Sequence, residues 1–151
     1  MIKRVIYFLI IGIFAGFFSC EGPDILIDPD AKLRFSSDTV YFDTIFTTIG
    51  STTKQLRVYN HYDQPLKISS ILLAGGQESV FRLNIDGIPE NSASDIEIPP
   101  EDSIYVFVEV TLDPNNADSL LMIKDSIVFI TNGNIQDVDL VAWGQDVHFI
   151  N

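Results

Sequence analysis

Cys20 is the residue of this 151-residue chain best suited to covalent chemistry, since the sequence contains no other cysteine. A thiolate is a good nucleophile, whereas one cysteine cannot form a disulfide within its own chain. Cys20 stands between an uncharged apolar run, residues 5–18, and an acidic segment, residues 21–32. This position indicates a site of covalent modification; the alternative is an incidental small apolar residue at the end of a hydrophobic run.

The residues before Cys20 have the pattern of an export signal. Lys3 and Arg4 form a basic start, and the run at 5–18 is shorter than the roughly 20 apolar residues of a spanning helix, which is the alternative. "FFSC", residues 17–20, resembles a bacterial lipobox in the aromatic-tolerant form of Bacteroidota. The resemblance implies cleavage before Cys20, acyl chains of the palmitate type on its thiol and amine, and anchoring to the outer membrane on its periplasmic or its surface side.

The charge of the chain excludes several classes of partner. It has 21 acidic and 9 basic residues, and loss of residues 1–19 leaves seven basic residues and a formal net charge of −14. Such a body is repelled by nucleic acid and by anionic headgroups. We therefore expect no nucleic-acid partner, and we expect that any attachment to a membrane is covalent or hydrophobic.

The residues that could bind a metal or perform catalysis lack the spacing that such chemistry needs. His61 and His148 form no metal-binding pair. The segment "DPNNADS", residues 113–119, resembles a calcium loop at Asp113 and Asn115, but Ala117 occupies a ligand position and no Gly follows. The sequence also has no serine-hydrolase or phosphate-loop motif. It therefore predicts a surface loop at 113–119, no metal, no cofactor and no enzymatic activity.

The segments that must position these residues have the sequence patterns of β-strands. In "SIYVFVEVTL", residues 103–112, small apolar residues alternate with Tyr105, Phe107 and Glu109, which predicts a strand that is partly buried on both faces and central in a sheet. "TNGN", residues 131–134, predicts a hairpin. The other predicted strands are "LRFS", "TVYFDTIF", "KQLRVYNHY", "LKISSILLA", "VFRLN", "SDIEIP", "DSIVFITN" and "DVDLVAW". Short strands at even spacing without helices predict an all-β, immunoglobulin-like antiparallel sandwich.

The order of these motifs resembles the immunoglobulin-like module of the abnormal-spindle/hydin type, which is akin to major sperm protein. The resemblance rests on Asp38 to Phe42, Gly50 and Ser51, Asn60, Pro65 to Ile68, Pro100 to Ser103, and Gly144. It implies the same sandwich fold, although Asp43 stands where the family usually has Gly. Trp143 is then expected to pack near the last strand and not as the core tryptophan of antibody domains.

The predicted organisation has four parts. Residues 1–19 are a lipoprotein signal peptide, residues 20–32 an extended tether, residues 33–146 the sandwich, and residues 147–151 a tail. Two prolines favour an extended tether, whose scattered acids resemble a surface-export signal or belong to a plain solvated linker. The tail is the start of a missing downstream region or an added edge strand.

Two functions follow from this organisation. The first is a non-enzymatic cell-envelope lipoprotein whose sandwich is a structural, spacer or protein-interaction module. The alternative is an accessory lipoprotein that binds glycans on a platform of Tyr59, Tyr62 and Tyr105. Exposure of three coplanar rings would favour glycan binding, and burial of the rings would count against it.

Overall fold

A computed structural model describes residues 22–46, 53–111 and 121–145. The signal peptide, Cys20, the calcium-like loop and the tail lie outside these ranges, so the predictions made for them stay predictions. In the described part no helix has the length and apolar character needed to cross a membrane. Residues 22–33 contain neither helix nor strand and turn at residues 29–30.

Nine strands and one short 3₁₀-helix form the regular structure of the described part. The strands are β1 Arg34–Phe35, β2 Thr39–Phe46, β3 Lys54–Tyr59, β4 Leu66–Leu73, β5 Phe81–Ile85, β6 Ser92–Ile98, β7 Ser103–Val110, β8 Leu121–Thr131 and β9 Asn134–Gln145, and the 3₁₀-helix is Gly76–Glu78. Each predicted strand segment overlaps one of these strands. β8 and β9 are longer than predicted because their ladder runs without interruption from Thr131 opposite Asn134 to Leu121 opposite Gly144.

The strands form two sheets packed face to face. The four-stranded sheet has the order β1-β3-β7-β5, and the five-stranded sheet has the order β2-β9-β8-β4-β6. β7 lies between β3 and β5, as predicted from its two partly apolar faces. This arrangement confirms the immunoglobulin-like sandwich. One ladder departs from the antiparallel prediction, because the chain passes from β1 in one sheet to β2 in the other and then runs parallel to β9.

The core fills the space between the inner faces of the two sheets. Ile104, Val106, Val108 and Val110 are buried in the alternation predicted for β7, and the largest fully buried side chains are Phe42, Phe81 and Phe129. Burial of such side chains is the main favourable contribution to folding. Trp143 is 38% exposed on the outer face of β9 and is therefore no core tryptophan, as expected.

The hairpin between β8 and β9 has the turn that its sequence predicts. Asn132 and Gly133 have φ angles of 49° and 81°. Positive φ at both central residues defines a type I′ turn, whose twist matches that of paired strands. This turn sets the register of the β8–β9 ladder, the longest in the described part of the chain.

The open edge of β5 is covered by hydrogen bonds from nearby residues. Ser79 Oγ accepts the N–H of Phe81 at 3.1 Å, and Asn91 Oδ1 accepts the N–H of Leu83 at 3.0 Å. The N–H of Ile85 donates to the carbonyl of Ile88 at 2.8 Å. The donors that an edge strand would offer to another chain are therefore already used.

Candidate functional site

The outer face of the four-stranded sheet carries a row of aromatic and arginine side chains. The register of β3 and β7 places Arg57 opposite Tyr105 and Tyr59 opposite Ser103. Phe107 follows two residues after Tyr105 and therefore points to the same side. We call Arg57, Tyr59, Tyr105 and Phe107 the tyrosine–arginine face.

Arg57 is held in place between two rings on this face. Its Cζ lies 5.3 Å from the ring centroid of Tyr59 and 5.0 Å from that of Tyr105. Its Nε donates a hydrogen bond of 2.9 Å to Ser103 Oγ. These contacts, each of cation–π or charge-assisted type, fix a long side chain that stays exposed to solvent.

Phe107 extends the row toward β5. Its ring and that of Tyr105 are stacked, with centroids 6.2 Å apart and planes inclined by 25°. Phe107 is 38% exposed, so an apolar surface remains available beside the arginine. Its neighbour across the ladder is Asn84, whose Oδ1 is buried without a hydrogen-bond partner.

Two clefts flank the tyrosine–arginine face. The first, of about 660 Å³, lies on the β1 side and is lined by residues that include Arg34, Arg57, Tyr59 and Asp102. The second, of about 550 Å³, lies on the β5 side; its lining includes Gln77, Arg82, Asn84, Asn91, Phe107 and Glu109. The face and its clefts therefore form one strip that crosses the sheet.

The strip combines arginines with acidic residues. Three of the nine basic residues of the chain, Arg34, Arg57 and Arg82, lie in it. The acidic residues that line it are Glu90, Glu101, Asp102 and Glu109. Arg82 Nη1 donates to the carbonyl of Phe81 at 2.6 Å, and Glu109 Oε1 accepts the hydroxyl of Thr53 at 2.9 Å. Arginines positioned in this way suit carboxylates, carbonyls and planar polar groups.

The structure brings together two of the three tyrosines predicted as a glycan platform. Tyr59 and Tyr105 flank Arg57, whereas Tyr62 packs against the core and its hydroxyl accepts the N–H of Lys32 at 3.0 Å. All three rings are half-buried. The hydrogen bond from Lys32 to Tyr62 helps to hold the segment before β1 in place. The role of the three tyrosines in glycan binding stays a prediction.

Sequence reasoning missed Arg57 and Phe107. The alternation in "KQLRVY" puts Arg57 on the same side of β3 as Tyr59, and that in "SIYVFVEV" does the same for Phe107 and Tyr105. Only the pairing of β3 with β7 brings the two sets together. His61 is exposed and its ring lies 4.1 Å from that of Tyr62. Within the described ranges no group of three or more His, Cys, Asp or Glu residues could hold a metal ion.

No protein-family model matches the chain, and no curated protein sequence matches it. Solved structures do match its fold. A protein of unknown function from Porphyromonas gingivalis W83 is 15% identical over 84% of this chain and 50% of that chain, with a TM-score of 0.54. The CooA pilin subunit from enterotoxigenic Escherichia coli is 7% identical over 78% of this chain and 100% of that chain, with a TM-score of 0.50.

A family 123 glycoside hydrolase from Clostridium perfringens also matches, with 8% identity over 77% of this chain, and this chain spans 27% of that one at a TM-score of 0.50. The ASH/PapD-like domain 7 of human CEP192 matches at a TM-score of 0.48, with 11% identity over 88% of this chain and 97% of that one. This chain therefore spans about a quarter of the length of the glycoside hydrolase and half of the length of the Porphyromonas gingivalis protein. At such low identity the matches show the fold alone, and that fold is an immunoglobulin-like sandwich.

Proposed function

We propose that this protein is a non-enzymatic cell-envelope lipoprotein, anchored to the outer membrane through Cys20, whose sandwich is a structural and protein-interaction module. The export-signal pattern before Cys20 and the absence of any disulfide partner in the sequence support the anchor. The sandwich fold, shared with a pilin subunit, suits assembly roles, although a fold alone does not set a function.

The arrangement of Arg57 between Tyr59 and Tyr105 is the observation that carries the interaction role. Together with tryptophan, tyrosine and arginine are the residues enriched among those that dominate binding energy at protein interfaces. Because Ser103 and the two rings already restrict Arg57, little side-chain entropy is lost when a partner contacts it. The partner contacts this face and the clefts beside it.

Capture of partners from the protein's own membranes tests this proposal. Chemical cross-linking of the native lipoprotein, followed by mass spectrometry, should recover a partner that Arg57→Ala loses by about tenfold or more, the effect of removing a residue worth about 1.4 kcal/mol or more. Ser94→Ala, an exposed change on β6 in the other sheet, is the control and should retain the partner. Equal recovery with wild type and Arg57→Ala would remove the tyrosine–arginine face from the interface.

The anchor has a separate test. The intact mass of the mature protein should correspond to a chain that starts at Cys20 and carries acyl chains, and Cys20→Ala should leave the membrane fraction. Two or three buried acyl chains hold a protein stably at a bilayer, at about 0.8 kcal/mol per methylene. An unmodified mature chain that starts after Cys20 would end the lipoprotein proposal.

Glycan binding is the second candidate, and the cleft on the β5 side favours it. The exposed ring of Phe107 lies there with the amides of Gln77 and Asn84, and an apolar ring beside convergent polar groups is the usual composition of a small-ligand site. Titration calorimetry with neutral oligosaccharides should then give binding that Phe107→Ala abolishes and Arg57→Ala leaves measurable. No heat with any oligosaccharide, together with capture of a protein, would favour the interaction module.

A further inference from the structure

Residues 26–33, which immediately precede the first strand, are bound to the body by side-chain and backbone hydrogen bonds. We call them the docked segment. The N–H of Leu26 donates to the carbonyl of Pro65 at 2.8 Å, and Leu26 packs against the core. Asn132 Nδ2 donates to the carbonyl oxygens of Leu26 and Asp28 at 3.0 and 3.1 Å.

Two further amides of the β8–β9 hairpin continue this pattern along the docked segment. Asn134 Nδ2 donates to the carbonyl oxygens of Pro29 and Ala31 at 2.7 and 3.2 Å. Gln136 pairs with Leu33 in both directions, because its Oε1 accepts the N–H at 2.9 Å and its Nε2 donates to the carbonyl at 3.1 Å. Ala31 and Leu33 are only 2% and 4% exposed. The docked segment therefore closes one end of the sandwich.

The docked segment leaves little free chain for an anchor. The six residues from Cys20 to Ile25 precede the first fixed residue, and six residues reach at most about 20 Å when fully extended. The end of the sandwich that contains Pro65 and the β8–β9 turn must then stay close to any membrane that holds Cys20. The opposite end, which contains the 3₁₀-helix Gly76–Glu78, lies one strand length further away.

We propose that the docked segment holds the sandwich end-on at the membrane and turns the tyrosine–arginine face sideways, toward proteins attached to the same membrane. The proposal rests on the anchor at Cys20 proposed above. Charge supports the upright position, because a body with seven basic and 21 acidic residues is repelled by anionic headgroups and does not lie flat on them. In this orientation the long axis of the sandwich stands along the membrane normal, and the tyrosine–arginine face is presented to neighbouring proteins on that membrane.

Energy transfer from tryptophan to an acceptor on lipid headgroups tests this geometry. Trp143 is the single tryptophan of the chain and follows Asn134, at the docked end, by nine residues of one strand, or about 30 Å. In vesicles that contain a dansyl lipid, the acylated protein should show weak transfer from Trp143. A Trp143→Phe variant with Asp63→Trp, which reports on the turn before Pro65, should show transfer several-fold stronger.

Two variants free the body from the proposed orientation in different ways. Asn134→Ala with Gln136→Ala removes two of the three amide side chains that bind the docked segment, and a flexible spacer of about twelve Gly and Ser residues after Gly22 lengthens the free chain without touching the docked contacts. Both should raise transfer from Trp143, because the body then tumbles. Gln55→Ala is the control and should change nothing; circular dichroism checks that each variant is folded.

The outcomes distinguish failure of the proposed orientation from failure of the proposed anchor. Strong transfer from Trp143 in the wild type, equal to that of the Asp63→Trp reporter, would overturn the end-on orientation even if Cys20 is acylated. If the intact mass shows no acyl chains, the anchor proposal fails. Coupling the Cys20 thiol to a maleimide lipid then measures the same transfer, and the same two results support or refute the role of the docked segment.

Discussion

Asn60 is a fully buried polar residue with four hydrogen-bond partners, and replacing it tests the structure directly. Asn60 is 1% exposed. Its Nδ2 lies 2.8, 3.0 and 2.9 Å from the carbonyl oxygens of Gln64, Ile98 and Pro99, and its Oδ1 accepts the N–H of Tyr62 at 3.0 Å. One side chain thus joins the turn after β3 to the turn before β7.

The cost of Asn60→Ala follows from the groups that it leaves unpaired. A buried donor or acceptor that loses its partner costs about 1–3 kcal/mol, and the change strands at least two carbonyls and one N–H. We therefore expect the free energy of unfolding to fall by about 3–5 kcal/mol, a large part of the 5–15 kcal/mol typical of a domain. In urea this is a midpoint shift of about 2 M.

Urea unfolding of the mature chain with Cys20→Ala, followed by Trp143 fluorescence and circular dichroism, measures this difference. Asn84→Ala is the matched control. The Oδ1 of Asn84 has no partner, so its removal should leave stability unchanged or slightly raised. A loss below about 1 kcal/mol for Asn60→Ala would contradict the bonding described for Asn60.

The variant Asn60→Asp should make the free energy of unfolding depend on pH. It keeps the acceptor for Tyr62 but points a second carboxylate oxygen at three carbonyls, which raises the pKa of the introduced carboxyl above its unfolded value of about 3.9. The contribution to stability is then present below about pH 4 and is lost as pH rises through the folded pKa. Relative to wild type, this variant should be weakest at neutral pH and should recover in acid; an identical deficit at both pH values would refute the account.

Three further changes are measured by the same unfolding experiment. Gly133→Ala should cost about 1–2 kcal/mol, because φ is +81° there and a Cβ strains that conformation, whereas Gly22→Ala, with open space around it, should cost almost nothing. Phe129→Ala should cost about 3–5 kcal/mol because it empties a fully buried site in the core, and a loss below about 1 kcal/mol would contradict that burial. Asp95→Asn should change stability by less than about 1 kcal/mol, since the pair with Lys67 is exposed at both ends and Asn also accepts positive φ.

Local patterns predicted much of the fold, and pairing between distant strands decided the rest. β2 has the predicted bounds because turn residues and alternation mark both of its ends. The parallel ladder between β2 and β9 was not predicted, since no local pattern reports which sheet a strand joins. The candidate site could not be predicted for the same reason, because Arg57 and Tyr105 are 48 positions apart in the sequence and meet only through the pairing of β3 with β7.

The docked segment shows a different limit of sequence reasoning. Its prolines and acids are typical of a solvated linker, and nothing local marks Ala31 as a buried residue. The signal lies in Asn132, Asn134 and Gln136, three amides at alternate positions about a hundred residues later. Recognising them requires knowing that the hairpin end and the segment before β1 meet.

The covered edge of β5 has a consequence for crowded surroundings. Proteins confined to a surface meet one another far more often than the same number of molecules in free solution, and a bare strand edge would then recruit the β-structure of neighbouring copies. Ser79, Asn91 and Ile88 occupy the donors of that edge. Neighbouring copies can therefore collide at this edge without exchanging strands, so that dense packing there does not turn into aggregation.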